Sequence, residues 1–201
     1  MSEWEANLPP IMREKLARIG EVTPGEKERM KDLDEMTSLL LRFYKGELSA
    51  EGLWRELKDY KDKGKGYLLK EAQVKLTDSL SLGSAEAEFQ KRRDGVLATE
   101  SLKEHRNTAT LEQNLNSIKG LQTKYRDEME KAYSNLKAQV ERNPQLRMHQ
   151  VKQGQATVVA QLTVDEAVKI SPEWKRFVAS HEKRYGQEFA RAMERLRQEA
   201  K

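Results

Sequence analysis

The chain has 201 residues, enough for one large or two small domains, and 35% of them are charged. Its 37 basic and 33 acidic residues are interspersed, a pattern typical of solvated helix surfaces. The sequence contains no cysteine, which excludes disulfides and thiolate chemistry, and it has no segment apolar enough to span a membrane. The N-terminus also lacks a signal-peptide pattern, so we expect a soluble cytoplasmic protein without a membrane partner.

The first predicted elements are short amphipathic helices. Pro9-Pro10 precedes a helix that reaches Ile19. The run Thr-Pro-Gly-Glu at 23–26 is a capping box with proline at the first helical position, and it predicts a helix that ends at Gly46. Ser49 caps the following helix, so the two helices are expected to form a hairpin.

Residues 39–60, LLLRFYKGELSAEGLWRELKDY, resemble the helix–glycine–helix pattern of the short oligomerisation modules known as SHOCT. The resemblance covers only this stretch, and we transfer no function from it. The basic turn KDKGKG follows, and then a shorter helix is predicted from Tyr67 to Leu80. We assign residues 1–83 to an N-terminal helical hairpin region.

The proline-free run from Ser84 to Asn143 is the central element of the predicted fold. A helix of about 60 residues would be roughly 90 Å long, so the molecule is expected to be elongated. Weak helix formers at 105–110 leave two alternatives open, one continuous helix or a break at this point. Apolar residues recur at coiled-coil spacing in its second half and predict an interaction seam of Leu111, Leu115, Ile118, Gln122, Tyr125, Met129 and Leu136.

After Asn143-Pro144 the apolar period changes from helical to alternating. A small β-hairpin within 146–162 is one interpretation, and a helix is the other, because so short a run does not distinguish them. Thr163 begins a capping box for a short helix, and Ser171-Pro172 opens the last helix. That helix adds four residues to the predicted seam, namely Trp174, Val178, Tyr185 and Phe189.

We therefore predict an all-α fold, an elongated helical bundle or antiparallel coiled coil built on a long central helix. Residues 84–201 form the second region, with a small head at 144–171. The stripes at 111–136 and 174–196 have similar lengths, so they are expected to fold back antiparallel, with Trp174 near Leu136 and Val140. The alternative is a parallel coiled coil between two chains through residues 111–140.

The sequence nominates no catalytic, cofactor-binding or metal-binding residue. Gly64-Lys-Gly66 lacks the third glycine and the preceding strand of a dinucleotide-binding loop. His181 falls in the apolar stripe of the last helix and is interpreted as a buried seam histidine with a hydrogen-bond partner. A di-metal helical bundle needs a glutamate three residues before each histidine, but His105, His149 and His181 have Leu102, Leu146 and Val178 there.

We expect a non-enzymatic scaffold, adaptor or assembly factor that binds a partner protein or a second copy, with a homodimer favoured. One alternative is a basic coiled-coil protein associated with nucleic acid, because Lys91-Arg92-Arg93 is a basic cluster and Tyr60 and Tyr67 lie in a basic stretch at 58–75. The other alternative is a chaperone-like protein whose head, residues 144–171, binds a client.

Overall fold

A computed structural model describes residues 23–153 and 156–200. The helix predicted between Pro10 and Ile19 lies outside the described residues. The described part confirms an all-α bundle with one small β-hairpin, and a 3-10 helix at Pro144–Arg147 precedes the hairpin. The elements are α1 (Pro24–Lys45), α2 (Ala50–Asp62), α3 (Tyr67–Asp78), α4 (Glu86–Glu100), α5 (Thr108–Arg142), β1 (Met148–Gln153), β2 (Ala156–Gln161), α6 (Val164–Ile170) and α7 (Pro172–Ala200).

Local capping fixes where the first helices begin and end. The backbone N–H of Glu26 donates to Thr23 Oγ1 at 3.3 Å, and the Glu26 carboxylate accepts from the Thr23 N–H at 2.8 Å. Gly46 ends α1 in the left-handed region at φ 84°, which favours glycine. Ser49 Oγ accepts from the Gly52 N–H at 3.0 Å and caps α2. These predicted boundaries are confirmed.

The central run is divided into α4 and α5, so the continuous-helix interpretation is wrong and the alternative of a break is confirmed. The buried carboxylate of Glu100 stabilises the intervening turn. It accepts from the Asn107 N–H at 2.7 Å and from Gln73 Nε2 at 2.8 Å, and Lys103 Nζ lies 3.1 Å away. Burial alone would raise the pKa of Glu100, but these hydrogen bonds outweigh it and hold the pKa below its ordinary value.

The main hydrophobic core joins α1–α4 to the first turns of α5 and the last turns of α7. It contains Phe43, Leu76 and Phe89 together with Leu111 and Leu196, all fully buried. The core therefore combines residues from both sides of position 83. The division of the chain at residue 83 stays a prediction.

Beyond this core, α5 and α7 continue side by side in opposite directions. Tyr133 meets Trp174 with ring centroids 5.3 Å apart, and Asn107 Nδ2 donates to Glu199 at the other end at 2.6 Å. We call residues 123–142 of α5 and 172–190 of α7 the arm. Each of its helices is roughly 30 Å long at 1.5 Å per residue. None of the described helices combines the length and apolarity needed to cross a bilayer.

The tip of the arm, residues 143–171, carries the predicted hairpin. Strands β1 and β2 pair antiparallel, with Met148 opposite Gln161 and His149 opposite Ala160. Arg147 extends this pairing, because its carbonyl accepts from the Leu162 N–H at 2.8 Å. A second apolar cluster lies below the hairpin, and Trp174 packs against it as predicted; its buried residues are Leu136, Val140, Ala167 and Val168.

Candidate functional site

The predicted seam residues nearest the core are fully enclosed. Leu111, Leu115 and Ile118 are at most 1% exposed. Gln122 is equally buried, and its Nε2 donates to the Ser81 carbonyl at 2.5 Å. Gln122 therefore connects α5 to the segment after α3. Its polar side chain has a specific hydrogen-bond partner at this buried seam position. Its partner is 41 residues away in the sequence.

The predicted seam residues in the arm are less well covered. Leu136 and Tyr185 are buried, but the others are only half-buried. Two helices pack through one stripe on each, so the flanks of that stripe stay partly open to solvent. The half-buried seam residues are Tyr125, Met129, Trp174, Val178 and Phe189.

Aromatic rings form a continuous row along α7. The ring centroids are 5.7 Å apart between Trp174 and Phe177, 5.0 Å between Phe177 and His181, and 4.6 Å between His181 and Tyr185. Tyr125 of α5 contacts the His181 ring at 4.8 Å. Sequence spacing placed most of these residues in the seam, whereas Phe177 was not among the predicted seam residues.

His181 is the central residue of this row and is 3% exposed. Within the described part of the chain, neither of its ring nitrogens has a hydrogen-bond partner. Its Nε2 lies 3.5 Å from the carboxylate of Glu128, which accepts hydrogen bonds from Tyr185 Oη at 2.8 Å and from Arg184. Burial lowers the pKa of His181. The histidine is buried as expected, but it has no hydrogen-bond partner among the described residues.

A cavity of about 440 Å³ opens at the tip of the arm. Its walls come from the end of α5, the 3-10 helix, β1, α6 and the start of α7. Most of its lining is apolar, and His149, Ser171 and Glu173 are among its polar lining residues. We call it the tip pocket; its apolar wall includes Leu136, Val140, Leu146, Ala167, Val168 and Ile170.

Exposed apolar side chains cluster at the same place. Among the residues whose side chains the structure describes, six large apolar side chains are exposed, and four of them lie at the tip. Leu146 and Ile170 line the tip pocket itself and are 54% and 40% exposed. The other two at the tip are Met148 and Val159, whereas Met30 and Leu41 lie on α1.

A larger groove of about 620 Å³ runs between α5 and α7 near the core. Charged side chains at its walls include Glu188, Arg191, Glu194 and Arg195. It is an open surface groove flanked by both signs of charge, which is ordinary for solvated helix faces. The tip pocket is the more enclosed of the two and has more apolar lining residues.

The basic clusters that suggested nucleic acid are engaged within the fold. Arg92 donates to the Ser79 carbonyl, and the Arg93 guanidinium lies 3.8 Å from Glu112. In the stretch 58–75, Lys65 Nζ donates to the buried Asp32 at 2.6 Å. These contacts stabilise the fold and leave less charge available for phosphate groups.

The fold and this surface define a class: an all-α protein in which a two-helix arm carries an apolar tip away from a helical body. Residues 54–198 match the model of DUF6657, a family of unknown function, so the chain belongs to that family. No curated protein matches the chain, and no solved structure matches it.

Proposed function

We propose that this chain is a non-enzymatic adaptor that binds a partner protein through the tip of its arm. The observation that carries the proposal is the tip pocket with exposed Leu146 and Ile170 at its wall. Large exposed apolar patches are characteristic of interaction sites on soluble proteins. A cytoplasmic location is part of the proposal, supported by a cysteine-free sequence suited to a reducing compartment.

The energetics favour this surface over the rest of the molecule. Fully burying a leucine or isoleucine contributes about 1.5–3 kcal/mol. Because Leu146 and Ile170 are 54% and 40% exposed, a partner that covers both gains roughly half of that from each, and its other contacts with the tip supply the rest of the affinity. The pocket is concave and already formed, which reduces the ordering that binding requires. It also supports the alternative of a client-binding head at 144–171, which uses the same surface.

Affinity purification with matched variants tests the proposal. The tip variant carries Leu146→Glu and Ile170→Glu, and the control variant carries Met30→Glu and Leu41→Glu, which are similarly exposed apolar residues on α1. We expect the wild-type chain and the control variant to recover the same partner protein from a native lysate. The tip variant should fail to recover it. That protein should then bind directly as a purified pair in calorimetry. Equal recovery by all three chains would reject the tip as the interaction site.

Self-association is a second proposal, and a homodimer is the favoured form. Its support is the row of half-buried rings of Tyr133, Trp174 and Phe177 on the arm, where a second arm would complete a four-helix bundle. Light scattering measures the mass directly. A mass of twice the chain, reduced to one chain by Phe177→Glu, supports the dimer, and a monomeric wild type at all concentrations rejects it.

A further inference from the structure

The partner surface at the tip has a free strand edge beside the pocket. The hairpin has two strands, so each has one side that faces away from the other. A two-stranded ribbon is marginal in water without further pairing or packing. Strand β1 and the residues just before it supply His149 and Leu146 to the tip pocket, so β1 is a strand beside the pocket.

The ladder defines which main-chain groups of β1 are free. In an antiparallel ladder, hydrogen-bonded and non-hydrogen-bonded residue pairs alternate. The Leu162 N–H donates to the Arg147 carbonyl, so Arg147 and Leu162 are a bonded pair and His149 and Ala160 form the next one. The N–H and carbonyl of Gln150 therefore point away from β2. The N–H of Met148 points the same way and is already bonded to the Gln145 carbonyl. Among the described residues, Gln150 and Lys152 offer the outward main-chain groups of this edge.

Area and charge indicate what kind of partner fits. A six-residue strand is about 20 Å long, and a strip of that length beside the pocket buries roughly 300 Å² per partner, whereas a stable dimer needs about 800 Å². A short extended segment is thus a better occupant than a second copy. The tip, residues 143–171, contains three basic and two acidic residues, and the flanking turns of α5 and α7 raise the net charge of residues 137–176 to +3, with seven basic and four acidic residues.

Two of those four acidic residues are already engaged within the fold. Asp165 accepts from Tyr133 Oη at 2.8 Å and pairs with Lys137 at 3.2 Å, and Glu166 completes the capping box with Thr163. The Asp165–Lys137 pair cancels one charge of each sign, so the net charge of residues 137–176 stays +3. An approaching acidic segment is attracted to this net positive charge, and its apolar side chains are suited to the pocket.

We propose that the tip binds an extended acidic segment of a partner protein, which adds to the outer edge of β1 and inserts an apolar side chain into the tip pocket. This inference rests on the proposed function and specifies the partner's chemistry. Main-chain hydrogen bonds to Gln150 and Lys152 supply affinity, and the pocket selects side chains at alternate positions of the segment.

Peptide display on the immobilised full-length chain tests the inference. We expect random dodecapeptides to be enriched for apolar residues at every second position and for aspartate or glutamate at the ends. The best peptide is then synthesised, and its binding is measured by fluorescence anisotropy. Enrichment of a helical pattern, or no enrichment over a mock selection, overturns the inference. Binding to phosphatidylserine vesicles without peptide enrichment assigns the basic tip to a membrane and also overturns it.

Proline variants test strand addition, because proline removes the N–H at its own position, and its restriction of the backbone applies equally to a matched variant on the other strand. Gln150→Pro removes an outward N–H of β1 and should weaken peptide binding at least tenfold. Thr157→Pro removes an outward N–H of β2, the opposite edge, and should change binding less than twofold. Equal effects of the two variants overturn the assignment to β1. Methylating single amides of the peptide gives an independent readout on wild-type protein, since only alternate positions should matter.

The two proposals fail separately. If the variant with Leu146→Glu and Ile170→Glu loses the native partner while Gln150→Pro retains it fully, the tip is an interaction surface but strand addition is rejected. Replacing the acidic residues of the selected peptide by lysine should weaken binding at least tenfold at low salt, and unchanged affinity rejects the charge requirement.

Discussion

The stability of this protein should decrease as the pH falls from 7 to 5, because His181 is buried without a hydrogen-bond partner among the described residues. Burial lowers its pKa below 6.5, the value expected in the unfolded chain. The unfolded chain therefore takes up a proton that the folded chain does not. This contribution to stability is complete above pH 6.5 and is lost as the pH falls through that value towards the folded pKa.

The size of the effect follows from the protonation of one group. Each pH unit contributes at most about 1.4 kcal/mol, so the loss between pH 7 and pH 5 has an upper limit of about 2 kcal/mol, reached when the folded histidine stays neutral throughout. The charged groups that act on the pKa of His181 are Glu128 and Glu182, which partly offset the burial, and Arg184, which adds to it. The rings of Tyr125 and Tyr185 exclude water from the imidazole.

The carboxylates act at lower pH and do not obscure this window. Several have pKa values held below their ordinary values of 3.8 and 4.5 by hydrogen bonds and ion pairs, so their contribution is complete above those values and is lost below them. They include Asp32, Glu86, Glu100, Glu128 and Asp165.

Urea unfolding at pH 7, 6 and 5 measures the effect for wild type and His181→Phe. Phenylalanine fits among the rings and removes two buried nitrogens that have no partner in the described residues, so the variant should be at least as stable as wild type at pH 7. Between pH 7 and pH 5 the stability of the variant should fall much less than that of wild type, because the variant has no imidazole at this position to take up a proton on unfolding. The exposed His105→Phe is the matched control and should behave like wild type. An equal decrease in wild type and His181→Phe would refute the reasoning.

Three further substitutions test packing and a buried hydrogen bond. A Cβ at Gly95 would lie 2.8 Å from the buried ring of Phe43, so Gly95→Ala should destabilise the protein by about 1–2 kcal/mol in a thermal melt. A Cβ at Gly120 meets nothing within 4 Å, so Gly120→Ala should stabilise the protein by up to about 1 kcal/mol in the same measurement. Equal effects would contradict the close packing at Gly95. Gln122→Leu leaves the Ser81 carbonyl without its donor and should lower the free energy of unfolding by about 1 kcal/mol. Leucine packs well in a coiled-coil seam, so a higher melting temperature of the variant would show that this hydrogen bond contributes little.

Local signals made the element boundaries predictable from the sequence. The capping boxes at Thr23 and Thr163 each use a side chain three residues away, so the pattern is visible in a short window. The break between α4 and α5 was predictable only as an alternative. Weak helix formers indicated it, but the interaction that stabilises it joins Glu100 to Gln73, 27 residues earlier in the chain.

The candidate site was less predictable than the fold. Helical spacing identified buried positions such as Leu115, but it did not distinguish the enclosed part of the seam from the half-buried arm, because that depends on which helices surround α5. The tip pocket takes its walls from five separate elements, and its apolar wall combines at most three residues from any one of α5, the 3-10 helix and α6. Leu146 and Ile170 follow no long periodic pattern, so their juxtaposition becomes visible only in three dimensions.

The division between body and arm explains how such a polar chain holds an apolar tip apart from its core. Helix α5 has 35 residues, and its first turns are enclosed by the body while the rest is covered mainly along one face by α7. The outer faces of the arm are charged, which keeps this extension in solution without additional core. The arm separates the tip from the main core by roughly 30 Å. An extended partner segment could therefore add to β1 without contacting the body, so variants at the tip should alter binding while leaving the stability of the main core unchanged.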